Sequence, residues 1–99
     1  MYEITYSEGV ADDLGRLTAN ERAEMLDHIE VQLTYEPTRQ TRNRKVLVGL
    51  VPPWDHMDPV WELRVGEHRV FYDVDHVQAT VSIRAIRHKP PHKTTEEIL

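Results

Sequence analysis

Three arginines, Arg64, Arg69 and Arg84, stand where one face of a sheet would gather them. Pairing Val65 with His68 across Gly66-Glu67 sets Arg64 directly opposite Arg69, and Arg84 on the next strand can reach the same face. Like charges opposite one another destabilise a strand pair. Such a pair persists when acids neutralise it or when an anion occupies it. Glu62 and Asp73 are the acids at hand, which gives a salt-bridged surface. Guanidinium forks bind phosphate in a bidentate manner, which gives a phosphate clamp. Both readings stand at this point.

A second group of candidates follows the same strand. Arg84-Ala85-Ile86-Arg87-His88-Lys89-Pro90-Pro91-His92-Lys93 leads into a basic exit. His88 can act as a general acid or base, because an imidazole titrates near neutrality. An exposed histidine in a basic tail is the plainer alternative. Pro90-Pro91 forbids the helix that would align His88 with His92 as metal ligands, and Asp55-His56-Met57-Asp58 adds only a weak metal signal. Neither a metal nor a cofactor is expected. The chain has no cysteine, and its only serines are Ser7 and Ser82 outside any nucleophile motif, so disulfides, thiolate chemistry and a serine triad are not expected.

The elements that must position these side chains are legible in the patterning. Tyr2 to Tyr6 alternates with period two and reads as a strand. Ser7 can cap a short helix carrying Val10, Leu14 and Leu17 on one face. Thr18-Ala19-Asn20-Glu21 has the spacing of a capping box and opens a second helix, striped by Met25, Leu26, Ile29 and Leu33. Pro37 stops it. Arg39, Arg42, Arg44 and Lys45 form a basic segment that runs into Val46 to Leu50. Pro52 to Pro59 is a proline-rich loop, either a binding or gating loop or a spacer packed down by Trp54.

The second half carries the strongest signal. Val60 to Val65 and His68 to Val74 form a hairpin, and Val77 to Ile86 forms a third strand after a turn at Asp75-His76. Trp61, Leu63, Val70, Tyr72, Val81 and Ile83 share the core face, while Glu62, Arg64, Arg69, Phe71, Asp73, Ser82 and Arg84 share an open one. The 99 residues make a single α+β domain, with two N-terminal helices on a mainly antiparallel sheet. The sheet should have about four strands.

Charge and hydropathy bound the function classes. The net charge is −5, yet residues 1–36 carry nine acids against Arg16 and Arg22. Residues 37–93 hold the other ten basic residues against six acids. An acidic protein with this asymmetry can still present a local anion-binding surface. No apolar run approaches a membrane span. The opening Met1-Tyr2-Glu3-Ile4-Thr5 lacks the features of an export signal, so the cytoplasm is the expected location.

With this order of elements, Leu63-Arg64-Val65-Gly66-Glu67-His68-Arg69-Val70-Phe71-Tyr72 resembles the Leu-Arg-x-Gly-x-x-Arg-x-x-Tyr hairpin of the RelE/ParE family of bacterial toxins. Val81 to Lys89 is similar to the family's last core strand, and the resemblance runs from Tyr2 to about Lys93. It implies a RelE-like fold and the toxin of a type II toxin–antitoxin system, with a cognate antitoxin as partner. RelE-like members cut ribosome-bound mRNA without a metal, whereas ParE-like members inhibit DNA gyrase. A toxin-like module that only binds a partner is a third possibility. Of these, the ribosome-dependent mRNA endoribonuclease is the expectation. By position the resemblance puts Arg64 at the scissile phosphate, and Arg87 and His88 at the catalytic position after the last strand. Lys45 falls in the region of the family's catalytic lysines. Arg44, Arg69, Arg84 and Lys89 then serve as phosphate- or RNA-binding residues. The chain departs from many RelE-type nucleases in lacking a tyrosine near its C-terminus.

Overall fold

Two backbone periodicities meet in this chain, and each builds one layer. Where apolar residues alternate, the computed structural model, which describes residues 1–99, forms strands; where they recur every three or four residues, it forms helices. The elements are β1 (Glu3–Tyr6), α1 (Glu8–Gly15), α2 (Ala19–Leu33), β2 (Arg44–Leu47), β3 (Val60–Val65), β4 (His68–Asp75), β5 (Thr80–His88) and the short α3 (Thr95–Ile98). The sheet has five strands in the order β1-β5-β4-β3-β2. β1 runs parallel to β5 and the other pairs are antiparallel. The α+β class is as the patterning implies, with one strand more than expected.

The β3–β4 hairpin has the register read from the sequence. Val65 pairs with His68, Leu63 with Val70 and Trp61 with Tyr72, which sets Arg64 opposite Arg69. Gly66 takes the first central position of the turn at φ +57°, a conformation that a side chain disfavours. Between β4 and β5 a bulge lies where Phe71 pairs with Ala85 and Tyr72 with Ile83. Arg84 is the extra residue there, and the face of the strand is reset around it.

Helix α2 opens with the full capping box: Glu21 N–H donates to the Thr18 hydroxyl and Thr18 N–H donates to the Glu21 carboxylate. Met25, Ile29 and Leu33 are buried against the sheet, together with Val10 of α1 and Leu63, Val70, Tyr72, Val81 and Ile83 of the strands. Tyr72 is wholly buried, and its hydroxyl donates to Pro37 O at 2.6 Å. Burial pushes this phenol far above its ordinary value. The bond pins the segment that follows α2 to the middle of the sheet.

Three local expectations are corrected. Ser7 stands at the N-cap of α1 but makes no side-chain cap; its hydroxyl donates instead to Arg84 O at 3.1 Å. The third strand of the second half begins at Thr80 rather than Val77. Asp75 Oδ1 accepts from Val77 N and Gln78 N, and Ala79 takes φ +50°, so the connection is longer than a tight turn. The basic segment Arg44–Leu47 is the fifth strand, an edge strand paired with β3.

Candidate functional site

The sheet face turned away from α2 carries the polar residues, and most of it is covered. The proline-rich loop folds across it: the Trp54 ring lies 5.5 Å from Phe71, and Met57 N–H donates to Asp73 Oδ2 at 3.2 Å. Phe71, expected on an open surface, is therefore fully buried. Of the two readings of this loop, packing down by Trp54 is what the structure has. Under the same cover Asp73 accepts two bonds from Arg84, at 2.8 and 3.2 Å. Arg84 is thus neutralised and turned from any external anion.

The uncovered end of the face is a small polar pocket of about 260 Å³. It is lined by Arg42 and Asn43 before β2, Lys45 on β2, Glu62 and Arg64 on β3, Arg69 on β4, Lys89 after β5 and Thr95 at α3. No hydrophobic residue contributes. Five cations thus surround one carboxylate. Glu62 is almost wholly buried and accepts from Arg69 Nε at 3.0 Å, with Lys45 Nζ at 3.8 Å. Arg69 also donates to the carbonyls of Gly66 and His68. Burial pushes the Arg69 pKa down while Glu62 pulls it back. Arg64 remains exposed, with its backbone N–H on Asn43 O at 2.7 Å, and the chain's ion pairs leave its guanidinium free.

The pocket therefore joins four of the expected site residues, Lys45, Arg64, Arg69 and Lys89, from four separate segments. The remaining four lie elsewhere. Arg44 is buried, and its guanidinium caps the end of α2 by donating to the carbonyls of Gln32 and Glu36. Arg84 is held by Asp73 as described. Arg87 donates to both oxygens of Asp13 at 2.9 Å and lies over the Trp54 ring, 5.4 Å from its centre. Each of these three guanidiniums serves the fold in this structure.

His88 points to the opposite side, into a groove of about 720 Å³ between α2 and the hairpin turn. Leu17, Met25, Val65 and Ile86 are its apolar residues. His88 Nε2 lies 3.1 Å from Glu67 Oε2, and its ring is 5.4 Å from that of His68. Desolvation, reinforced by His88, lowers the pKa of His68. An imidazole on that side does not reach the Arg64 pocket.

Arg42, Asn43, Glu62 and Thr95 are pocket residues that were not assigned there from sequence. Glu62 carried a signal, since it shares the strand face of Arg64 at i and i+2. The others arrive through irregular backbone that no periodicity foretells. No three His, Asp or Glu side chains converge as metal ligands. No helix is long and apolar enough to cross a membrane.

The sequence profile of the ParE toxin of the type II toxin–antitoxin system, parDE, matches residues 4–89. No curated protein matches in sequence. Among solved structures, the fold is similar to a chain of the RelBE2 toxin–antitoxin complex of Mycobacterium tuberculosis, with TM-score 0.71 and 23% identity over 89% of this chain and 98% of that one. It is similar to the archaeal RelE–RelB complex of Pyrococcus horikoshii OT3, with TM-score 0.69 and 21% identity over 94% and 98%. The isolated RelE toxin of E. coli gives TM-score 0.63 and 16% identity over 98% and 94%. At these identities the likeness is one of fold.

Proposed function

The chain belongs to the family of ParE toxins of type II toxin–antitoxin systems, and on that premise we propose that it arrests growth by cutting ribosome-bound mRNA at the pocket around Arg64. The observation that carries this reading is an exposed arginine without an acidic partner in a pocket lined only by polar residues. RNA cleavage of this kind needs a 2′-OH activated, charge stabilised on the phosphate and a proton delivered to the leaving oxygen. Arg64 and Lys89 supply the charge. Lys45, whose side chain is 61% exposed, stands beside them for proton transfer. Arg42 extends the positive rim toward a single-stranded backbone, while Arg69, buried and bonded to Glu62, adds positive potential from beneath. The expected roles of Arg44, Arg84, Arg87 and His88 do not enter this mechanism, because each is engaged elsewhere.

A cognate antitoxin is the proposed protein partner, by analogy with the RelB complexes among the similar structures. A second reading, inhibition of DNA gyrase, is favoured by the ParE profile and by the absence of an imidazole from the pocket. Induced expression separates the two in one strain. Growth should stop, and primer extension should show codon-phased cuts in message. DNA breaks with intact message would instead establish the gyrase reading.

A further inference from the structure

One carboxylate among five cations has a consequence for where a phosphate can settle. Glu62 is 3% exposed, and a buried acid is costly unless it is paired. Its partners come from three of the segments that line the pocket. Arg69 of β4 binds it at 3.0 Å, Lys45 of β2 stands at 3.8 Å, and the Thr95 hydroxyl of α3 donates at 3.5 Å. Without this acid, Arg69, directly opposite Arg64 in the register and otherwise bonded only to the Gly66 and His68 carbonyls, would offer an anion a second guanidinium beside Arg64. Lys45 would then have nothing to fix it.

Resting on the reading of this pocket as the phosphodiester site, we propose that Glu62 is a positioning residue: it occupies Arg69 and orients Lys45, so that the scissile phosphate meets Arg64 and Lys45 together. The carboxylate thus trades tightness of binding for the placement of the group that moves the proton. A merely structural acid would support binding and turnover alike. A positioning acid that competes with substrate for Arg69 separates them.

The variant Glu62→Gln keeps the shape and an oxygen toward Arg69 while removing the charge. Binding of a synthetic single-stranded RNA should tighten roughly threefold, with a steeper salt dependence, because Arg69 becomes available to phosphate. Cleavage of ribosome-bound message should fall about tenfold. Glu62→Asp retains the charge and should recover part of the rate. In a Lys45→Met background, Glu62→Gln should lower cleavage no further, since both changes act through one group. Binding and cleavage that decline together, in step with melting temperature, would overturn the inference. An undiminished effect of Glu62→Gln in the Lys45→Met background would do the same. A wild-type chain that leaves ribosome-bound message intact would overturn the functional reading itself, and this inference with it.

Discussion

Replacing Asp13 by alanine should destabilise the protein by about 3 kcal/mol, and the structure partitions that loss. Beyond the end of β1, strand β5 has an uncovered edge, and Asp13 of α1 closes it. The carboxylate is 7% exposed and accepts the buried Ile86 N–H at 2.9 Å. Leaving that donor unsatisfied costs about 1–3 kcal/mol. The two contacts with Arg87 add less, about 1 kcal/mol, because the Arg87 side chain is 30% exposed and solvent screens the pair. Asp13→Asn keeps an acceptor oxygen for Ile86 and should lose only the smaller part. Urea unfolding followed by fluorescence checks this, with the midpoint falling and the slope unchanged. For a domain of this size a loss of about 3 kcal/mol lowers the melting temperature by about 15 °C. RNA binding at the folded pocket should not change, since Asp13 takes no part in it. Equal losses for the alanine and asparagine variants would refute the partition, and an alanine variant within about 0.5 kcal/mol of wild type would refute the edge-closing role altogether.

Two further outcomes follow from buried or desolvated groups. Tyr72→Phe deprives Pro37 O of its donor and should cost about 1–2 kcal/mol by the same unfolding assay, loosening the 34–43 segment first in hydrogen exchange. His68 has a folded pKa below its unfolded value, so the unfolded chain binds the proton more readily. Its contribution is therefore intact above the ordinary histidine range and lost as pH falls through about 6.5 toward the depressed value. Stability measured from pH 7.5 to pH 5 should decline more steeply in wild type than in His68→Asn.

How much of this was legible depends on how local each signal is. The hairpin register is visible because a two-residue turn with glycine at its first position leaves one pairing that keeps Trp61, Leu63, Val70 and Tyr72 together. The capping box at Thr18 needs only four residues and is equally plain. β2 is not, because Arg44-Lys45-Val46-Leu47 has no alternation of its own and becomes a strand only by pairing with β3. The covered half of the polar face was hidden for a related reason. Alternation assigns Phe71 to a face but says nothing of Trp54, which crosses that face from an irregular loop. Arg87 meets Asp13 across 74 positions, and Arg44 meets the end of α2, so both look free in sequence and are bound in the fold. Lys45, Arg64 and Arg69 converge because neighbouring strands carry them, and Lys89 joins them from the residue after β5; Glu62, legible in sequence as a neutraliser of the arginines, pairs with Arg69 and Lys45.

Arg64 is the free guanidinium of the proposed RNA-cleaving pocket. The most direct measurement is cleavage of a defined message on purified ribosomes by the wild-type protein and by Arg64→Ala at matched folded concentration. Wild type should cut at a fixed phase within codons. The variant should lose about 100-fold or more, as expected when a group stabilising transition-state charge is removed. Because Arg64 is exposed and makes no side-chain bond, the melting temperature should be nearly unchanged. An Arg64→Ala protein that cuts message as fast as wild type would contradict the proposed role of Arg64.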